Sequence, residues 1–355
     1  MIVKNNIDMV YLWVGGNDPE WRAKRHRAAH TLSASSRSDM AVYGNVEGRF
    51  RDNEELRYSL RSLEKYFPDH GHVYIVTDNQ SPKWLKPHAG LTIIDHRDLI
   101  PLASLPTFDS GNIESYIHRI PGLSEQFFYF NDDVFFGAPV DVNDWFWPGG
   151  MYTAWSDDAP VTSGPLQPGA TSLENGCRLS EQWLAQHTST AGRLPDYQHT
   201  PRTFAHAPRP LLKSLFVALE AHAPSLFEMV RGTRFRTWDK PTIVSDFLLR
   251  WALAHGVARL KEYPHRYVST GDVDAVQALN SLQAEVGQLG FFCINDTTDD
   301  AHRHDPRLAK VRVTLERMLG VASKFEQSAP NLRSDWLGRQ LHDVGHAQTA
   351  VEIAD

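Results

Sequence analysis

Cysteine is nearly absent from this chain of 355 residues: only Cys177 and Cys293 occur, far apart in sequence. So few thiols build neither a disulfide scaffold nor a cysteine-based zinc site, and a reducing cytoplasm suits them. Long apolar runs are also missing. None approaches the roughly 20 residues that a membrane-spanning helix needs. The opening residues, Met1-Ile2-Val3-Lys4-Asn5-Asn6-Ile7-Asp8, carry no signal-peptide hydrophobic region and lead at once into a strand pattern. Neither secretion by a standard signal nor a transmembrane span is therefore expected. An excess of positive charge is lacking as well. The formal net charge of -7 argues against broad nucleic-acid binding, which calls for a basic face. No internal repeat, low-complexity tract or interdomain linker is visible. What remains is 41% hydrophobic and 22% charged, the composition of a globular protein able to bury a full core.

The first half alternates strand and helix patterns. Met9 to Val14 reads as a strand, ended by the turn signal Gly15-Gly16-Asn17-Asp18-Pro19. Asp52 suits a helix N-cap, with Glu55 three residues on as in a capping box. Leu56, Leu60, Leu63 and Phe67 follow at helical spacing until Pro68. Strands are expected from His72 to Thr77, ending at Asp78-Asn79, and from Leu91 to Ile94. Ser110 caps an expected helix with Ile113, Ile117 and Ile120 on one stripe. Alternating β and α units imply a mostly parallel sheet flanked by helices, an α/β fold of Rossmann-like or GT-A-like kind. Residues 7–140 form the α/β core in this reading, and 141–205 a loop-rich lid or insertion. Residues 206–325 form a helical part that completes a single catalytic domain. The polar tail, 326–355, includes Trp336, Leu337, Leu341 and Val344. Within the helical part, Pro210, the segment from Ile243 to Trp251, and Pro306 mark expected helices.

The most informative stretch is Phe127-Phe128-Tyr129-Phe130-Asn131-Asp132-Asp133-Val134-Phe135-Phe136-Gly137. Its continuous apolar run reads as a strand buried on both faces. Adjacent carboxylates there are costly unless paired or metal-bound. The carboxyl end of a central strand is also where open α/β sheets bind ligands. Hard oxygen donors favour Mg²⁺ or Mn²⁺ held together with substrate phosphates. Other polar residues gather at expected strand ends and helix starts. Gly15 and Gly16 let a backbone approach a nucleotide, or simply turn the chain. Asp52 and Asn53 open a helix whose N-terminus attracts phosphate, with Arg49, Arg51, Arg57 and Arg61 around it. His118-Arg119 precedes the acidic stretch, and arginine suits a bidentate grip on phosphate. His206 stands before a Pro-rich helix start, where an imidazole can act as general base. Phe292-Cys293-Ile294-Asn295-Asp296 repeats the pattern of an apolar strand ending in polar residues, which could complete a metal or acceptor site.

Taken together, these segments resemble the Stealth family of sugar-1-phosphate transferases. One block, Ile7 through Leu12-Trp13-Val14-Gly15-Gly16-Asn17-Asp18, resembles its first region, although the family more often has Asp where Gly15 stands. The second region is the longest. It runs from Arg49-Phe50-Arg51-Asp52-Asn53-Glu54-Glu55-Leu56-Arg57 through Tyr74-Ile75-Val76-Thr77-Asp78-Asn79-Gln80 and Ile113-Glu114-Ser115-Tyr116-Ile117-His118-Arg119 to Asn131-Asp132-Asp133-Val134. His206-Ala207-Pro208-Arg209, with a later Arg236, resembles the third, and Phe292 through Asp296 the fourth. The resemblance implies transfer of hexose-1-phosphate or N-acetylhexosamine-1-phosphate from a UDP-sugar to a sugar hydroxyl, releasing UMP. The acceptor is a saccharide or growing capsular or exopolysaccharide, and the implied setting is cytoplasmic, peripheral to an inner-membrane assembly complex. A divalent cation on Asp132 and Asp133, completed by Asn295 and Asp296, would bridge the diphosphate. Arg119 and Arg236 would meet the phosphate oxygens. His206 would be the base, with Asp52 as the alternative. Gly15, Gly16, Asp18, Arg49, Asn53, Arg57, Asp78, Asn79, His118 and Asn131 would bind the donor. Two readings stay open beside this one: a metal-dependent glycosyltransferase that releases UDP, and an inactive carbohydrate-binding subunit.

Overall fold

The computed structural model describes residues 7–33, 38–191, 198–301 and 305–327, and only the backbone of 187–191. The expected tail therefore falls outside the described residues beyond Gln327. Among those described, the α/β architecture expected from the alternation is present. Strands β1 (Asp8–Leu12), β2 (Val73–Thr77), β3 (Leu91–Asp95) and β4 (Gln126–Asn131) are parallel neighbours in the order β3-β2-β1-β4. Met9, Val10, Tyr11 and the Phe127–Phe130 run lie at or below 1% exposure, which is why both central strands read as unbroken apolar runs. The chain builds β1, β2 and β3 outward on one side, then returns to lay β4 on the other. The sheet thus has its topological switch point between the carboxyl ends of β1 and β4, where open α/β sheets bind ligands.

The apolar run from Phe127 to Gly137 is not one strand, contrary to expectation. The chain turns at Asp132-Asp133 and enters β5 (Val134–Phe136), which belongs to a different sheet. There it pairs antiparallel with β11 (Phe291–Asn295), itself parallel to β10 (His265–Ser269). Periodicity could not reveal the corner, because both strands are buried and apolar. Helix α1 (Pro19–His30) lies between β1 and the next helix. That helix, α2 (Glu55–Tyr66), packs on β5, and Ser59 Oγ donates to the Val134 carbonyl at 2.6 Å.

Three further expectations change. Helix α3 (His96–Leu99) follows β3, and α4 (Ser110–Glu114) is capped by Asp109, not Ser110. Its expected stripe ends early, and Ile117–Arg119 forms a separate 3-10 turn. The region 141–205 is more than loop. It holds β6 (Phe146–Trp147), β7 (Gly150–Thr153) and the long helix α5 (Ser172–Ala191). Thr171 and Glu174 cap α5 reciprocally: Glu174 N donates to Thr171 Oγ1 at 3.2 Å, and Thr171 N to Glu174 Oε2 at 2.7 Å. Polar residues such as Asn175, Arg178 and Ser180 occupy its buried face, which erased the expected periodicity. Finally, Pro210 opens no helix. Arg209–Leu212 is β8, an edge strand antiparallel to β4, and an edge is where a sheet tolerates proline. Helix α6 (Lys213–His222) begins after it, followed by α7 (Pro224–Arg231). A π turn at Ile243–Phe247 leads into α8 (Leu248–Ala254), and β9 (Ala258–Leu260) pairs with β7. Helices α9 (Ala275–Glu285) and α10 (Pro306–Met318) complete the described chain.

Candidate active site

A cavity of about 600 Å³ opens at the switch point, within the size range of small-molecule sites. Its wall includes the ends of β1 (Leu12, Trp13, Val14) and β4 (Asn131), the corner Asp132-Asp133, and the end of β11 (Asn295, Asp296). Among the described residues no ion pair reaches the corner carboxylates, and Arg209 offsets the charge of Asp133 only in part. Burial, Asp133, Glu55 and Asp52 all raise the pKa of Asp132 well above its usual range. Burial pushes Asp133 up to about 6. Asp133 Oδ2 accepts a long hydrogen bond from Cys293 Sγ at 3.5 Å, while its buried Oδ1 has no partner. Repelling, desolvated carboxylates with an unpartnered oxygen fit a divalent cation. Among the described residues, no three His, Cys, Asp or Glu side chains are close enough to hold a metal alone. A cation at this corner would take its remaining oxygens from a ligand or water.

A cationic wall shares the cavity. Arg49 and Arg236 both line it, and both reach Ser110 Oγ at the start of α4, Arg49 Nη2 at 3.2 Å. Asp109 partly compensates them, lying 3.5 Å from Arg236 Nε and 4.0 Å from Arg49 Nη2. Burial, then the neighbouring Arg236, lowers the Arg49 pKa to about 9. Two guanidiniums held together against one carboxylate make a receptor for an anion. His206 lines the same cavity beside Tyr267, their ring centroids 5.2 Å apart. Burial, followed by Arg209, drives its pKa down to about 4. The imidazole is therefore neutral at physiological pH, and not poised near its ordinary value of about 6.5.

The cavity does not gather every residue expected there. His118 and Arg119 point to Glu220 of α6 instead, at 2.7 and 2.5 Å, and neither lines the cavity. The 3-10 turn at Ile117–Arg119 directs them onto α6. Arg57 binds Glu326 at 2.6 Å and Glu54 at 3.3 Å, so it ties α2 to the C-terminal part of the domain. Asp18 caps α1, accepting from Glu20 N and Trp21 N. Asp78 pairs with Lys24 at 2.5 Å, and Asn79 accepts from Arg97 at 3.1 Å. Gly15 is held by Gln80, and Gly16 sits against the Phe50 carbonyl, where a Cβ would come within 1.7 Å. Neither glycine lines the cavity.

Asp52 and Asn53 stand just behind the lining. The expected capping box does not form, because the residue before α2 is Glu54, which makes no side-chain cap bond. Glu54, at φ 71°, precedes α2, Asp52 Oδ1 accepts from Glu54 N at 2.8 Å, and Glu55 reaches back to Asn53 N at 2.6 Å. Asp296 is no free ligand. It accepts from Arg51 at 2.5 Å and from the hydroxyls of Thr298 and Thr270, so its carboxylate is already neutralised. Asn295 donates to Tyr267 at 3.0 Å, and Asn131 Oδ1 accepts from Tyr129 at 2.8 Å.

Several lining residues escaped the sequence reading. Glu55, taken for a cap, is buried at the acidic corner with its pKa raised to about 8 by burial and Asp52. His96, at the carboxyl end of β3, is 6% exposed and lines the cavity. The segment Ser156-Asp157-Asp158 and His265 come from regions without a chemical pattern, so only the fold brings them in.

With this geometry fixed, comparison with known proteins is decisive. The family model for Stealth protein conserved region 2 matches residues 49–153, and that for Stealth conserved region 1 matches residues 5–33. The chain belongs to the Stealth family. The second matched region carries Arg49, Glu55 and the Asp132-Asp133 corner, and the first carries the β1 end. Exopolysaccharide phosphotransferase CpsY of Mycobacterium tuberculosis is 31% identical over 92% of this chain and 59% of its own length. A capsular polysaccharide phosphotransferase, cps1A of Actinobacillus pleuropneumoniae, is 39% identical over 70% of this chain and 66% of its own. An exopolysaccharide phosphotransferase of Streptomyces coelicolor is 33% identical over 90% of the chain and 33% of its own length. The Stealth chain thus spans between one third and two thirds of these relatives. Among solved structures, mouse xyloside xylosyltransferase 1 aligns at a TM-score of 0.40 and 12% identity, covering 85% of this chain and 99% of its own. Among the described residues, no helix is long and apolar enough to cross a membrane.

Proposed function

We propose that this Stealth protein transfers a hexose-1-phosphate or N-acetylhexosamine-1-phosphate from a UDP-sugar to a sugar hydroxyl, releasing UMP, in capsular or exopolysaccharide synthesis. One observation carries the reading: a buried acidic corner and a paired-arginine wall face one cavity at the sheet's switch point. A diphosphate with a divalent cation satisfies both at once, and neither a neutral sugar nor a metal alone would. The names of the relatives support phosphoryl chemistry on polysaccharide. We place the reaction in the cytoplasm, peripheral to an inner-membrane assembly complex.

Asp132 and Asp133 would hold Mg²⁺ or Mn²⁺, with Asn131 beside them. When bound, the cation supplies charge neutralisation for the diphosphate. Arg49 and Arg236 bind the non-bridging phosphate oxygens and hold the phosphorus for in-line attack. Ser110 and Asp109 fix both guanidiniums in place. His206, neutral because it is buried, takes the proton of the acceptor hydroxyl as that oxygen bonds to phosphorus. The bond from phosphorus to the bridging oxygen breaks, and UMP leaves with the electron pair. A glycosyltransferase using the same corner would attack the anomeric carbon and release UDP instead. Incubating the protein with Mg²⁺, UDP-sugars and oligosaccharide acceptors, and resolving UMP from UDP, separates the two. UDP as the product would refute the proposal.

A further inference from the structure

Aromatic residues in this chain are covered almost everywhere. Among the described residues, only two of the Phe, Tyr and Trp residues are exposed, Tyr43 at 48% and Tyr267 at 43%. Both line the cavity at the switch point. Aromatic surface left open in a concave site marks contact with a ligand. The two rings stand in different surroundings. Tyr43 adjoins Gly44, whose carbonyl accepts from Arg49 Nη1 at 3.1 Å, so it belongs to the arginine wall. Tyr267 lies on β10 opposite Cys293 of β11, and Cys293 Sγ reaches Asp133 at 3.5 Å. That face of the second sheet therefore looks onto the acidic corner. The Tyr267 ring packs beside His206, with centroids 5.2 Å apart, and Asn295 Nδ2 donates to its Oη at 3.0 Å. Its own phenol proton has no acceptor among the described residues. Two contacts hold the ring, while much of its surface and one donor stay open to the cavity.

A pyranose has the complementary surface. The C–H groups on one face of the sugar ring make an apolar patch, and its hydroxyls lie around the edge. A tyrosine ring meets the first and a phenol proton the second, one end apolar and the other polar. We infer that Tyr267 is the platform for the acceptor saccharide. The pyranose that carries the attacking hydroxyl stacks on this ring, which holds that hydroxyl beside His206 and in front of the acidic corner. The inference rests on the proposed transfer to a sugar hydroxyl and assigns the acceptor its place in that reaction. Tyr267 binds and positions; no proton passes through it. The arginine wall is a separate part of the cavity, so donor phosphate binding does not depend on this contact.

Steady-state transfer by the full chain from UDP-sugars to oligosaccharides in Mg²⁺, with UMP affinity measured by calorimetry, tests the assignment. Tyr267→Ala should raise the acceptor KM at least roughly tenfold, the worth of one aromatic contact. Donor KM and UMP affinity should stay within about twofold of wild type. Tyr267→Phe keeps the ring and should recover most of the loss, which also guards against a misfolded alanine variant. Saturation-transfer NMR on the same oligosaccharides reads binding without turnover. Wild type and Tyr267→Phe should saturate the C–H protons of one pyranose face, and Tyr267→Ala should not. A fall in kcat with unchanged acceptor KM and saturation would show that Tyr267 only packs His206, and overturns the inference. An equal loss of UMP affinity in Tyr267→Ala places the ring in the donor site and also overturns it. So does an acceptor KM raised by Tyr43→Ala and left unchanged by Tyr267→Ala. Release of UDP in place of UMP refutes the proposed reaction, while the KM and saturation results still decide the role of Tyr267. A wild-type protein that saturates no saccharide overturns this inference together with the proposed acceptor.

Discussion

Burial changes the chemistry of Asp133 and His206 in opposite directions. Both lose charge on burial, so the metal-free acidic corner is a source of instability at neutral pH. For Asp133 the folded pKa lies near 6 against an ordinary 3.8. Ionisation is therefore harder in the folded state, and its contribution turns unfavourable as pH rises from about 4 to about 6. At one pKa unit per 1.36 kcal/mol, the effect is at most about 3 kcal/mol. Asp133→Asn should raise the unfolding free energy of chelator-treated protein at pH 7, and less so at pH 4, while abolishing turnover. Denaturant titration at both pH values checks this. A variant less stable than wild type at pH 7 would mean that Asp133 has a compensating partner. For His206 the sign also follows from burial. Its folded pKa of about 4 lies below the unfolded value, so the neutral form persists to low pH. The acidic limb of the kcat/KM profile should fall near pH 4, not near 6.5, and His206→Ala should lower turnover by roughly 10²–10⁴-fold. A limb at 6.5 that survives in the alanine variant would remove His206 from the reaction.

Helix α2 links two things at element scale: the turn that brings Arg49 to the cavity, and a C-terminal clamp. Arg61 is buried against Glu326, with Nε 2.7 Å from Oε1, and Arg57 adds a second bond to the same carboxylate. Burial raises the Glu326 pKa, but hydrogen bonds from Arg61, the Ser323 backbone N–H and Arg57 outweigh it and hold the value down to about 2. The stabilisation is present above about pH 4.5 and is lost as pH falls toward 2. Glu326→Ala leaves buried Arg61 with only the more exposed Glu316 and the Leu319 carbonyl as partners, which costs up to roughly 3 kcal/mol. Thermal unfolding should show that loss without a change in nucleotide specificity. Gly16→Ala works at the other end of the same assembly. A Cβ there would come within 1.7 Å of the Phe50 carbonyl, so the turn carrying Arg49 must move. Turnover should fall by about 100-fold for a misplaced phosphate-binding group, while the fold persists. Retention of full turnover would show that the turn can shift without displacing Arg49.

For the whole molecule, what the sequence disclosed and what it hid follow one physical line. Local signals revealed local structure: β1, β2, β3 and α2 were legible because burial and helical spacing act over a few residues. The acidic pair was legible as a site because its cost in an apolar run is a local fact. Tertiary closure was not. Nothing near Asp132 announces that the chain changes sheets there. The partner that neutralises Asp296 is Arg51, far away in sequence, and its effect on the site is visible only once β11 lies beside the start of α2. Polar residues on the buried face of α5 hid a helix for the same reason: their partners come from other elements. The Arg51–Asp296 pair therefore joins the end of β11 to the segment before α2, at 2.5 Å, with Arg51 also bonded to Thr298 and the Ala301 carbonyl. Its removal should separate structure from catalysis. Arg51→Ala leaves a buried carboxylate unpaired and should cost about 3–5 kcal/mol, whereas Asp296→Asn keeps the hydroxyl and amide contacts and should cost less. A double-mutant cycle should show strong coupling between the two positions. Neither change should weaken Mn²⁺ binding, measured by calorimetry on folded protein, as much as Asp133→Asn does. If Asp296→Asn weakens Mn²⁺ as severely as Asp133→Asn, then Asp296 must leave Arg51 to bind the cation, and the acidic end of β11 belongs to the metal site after all.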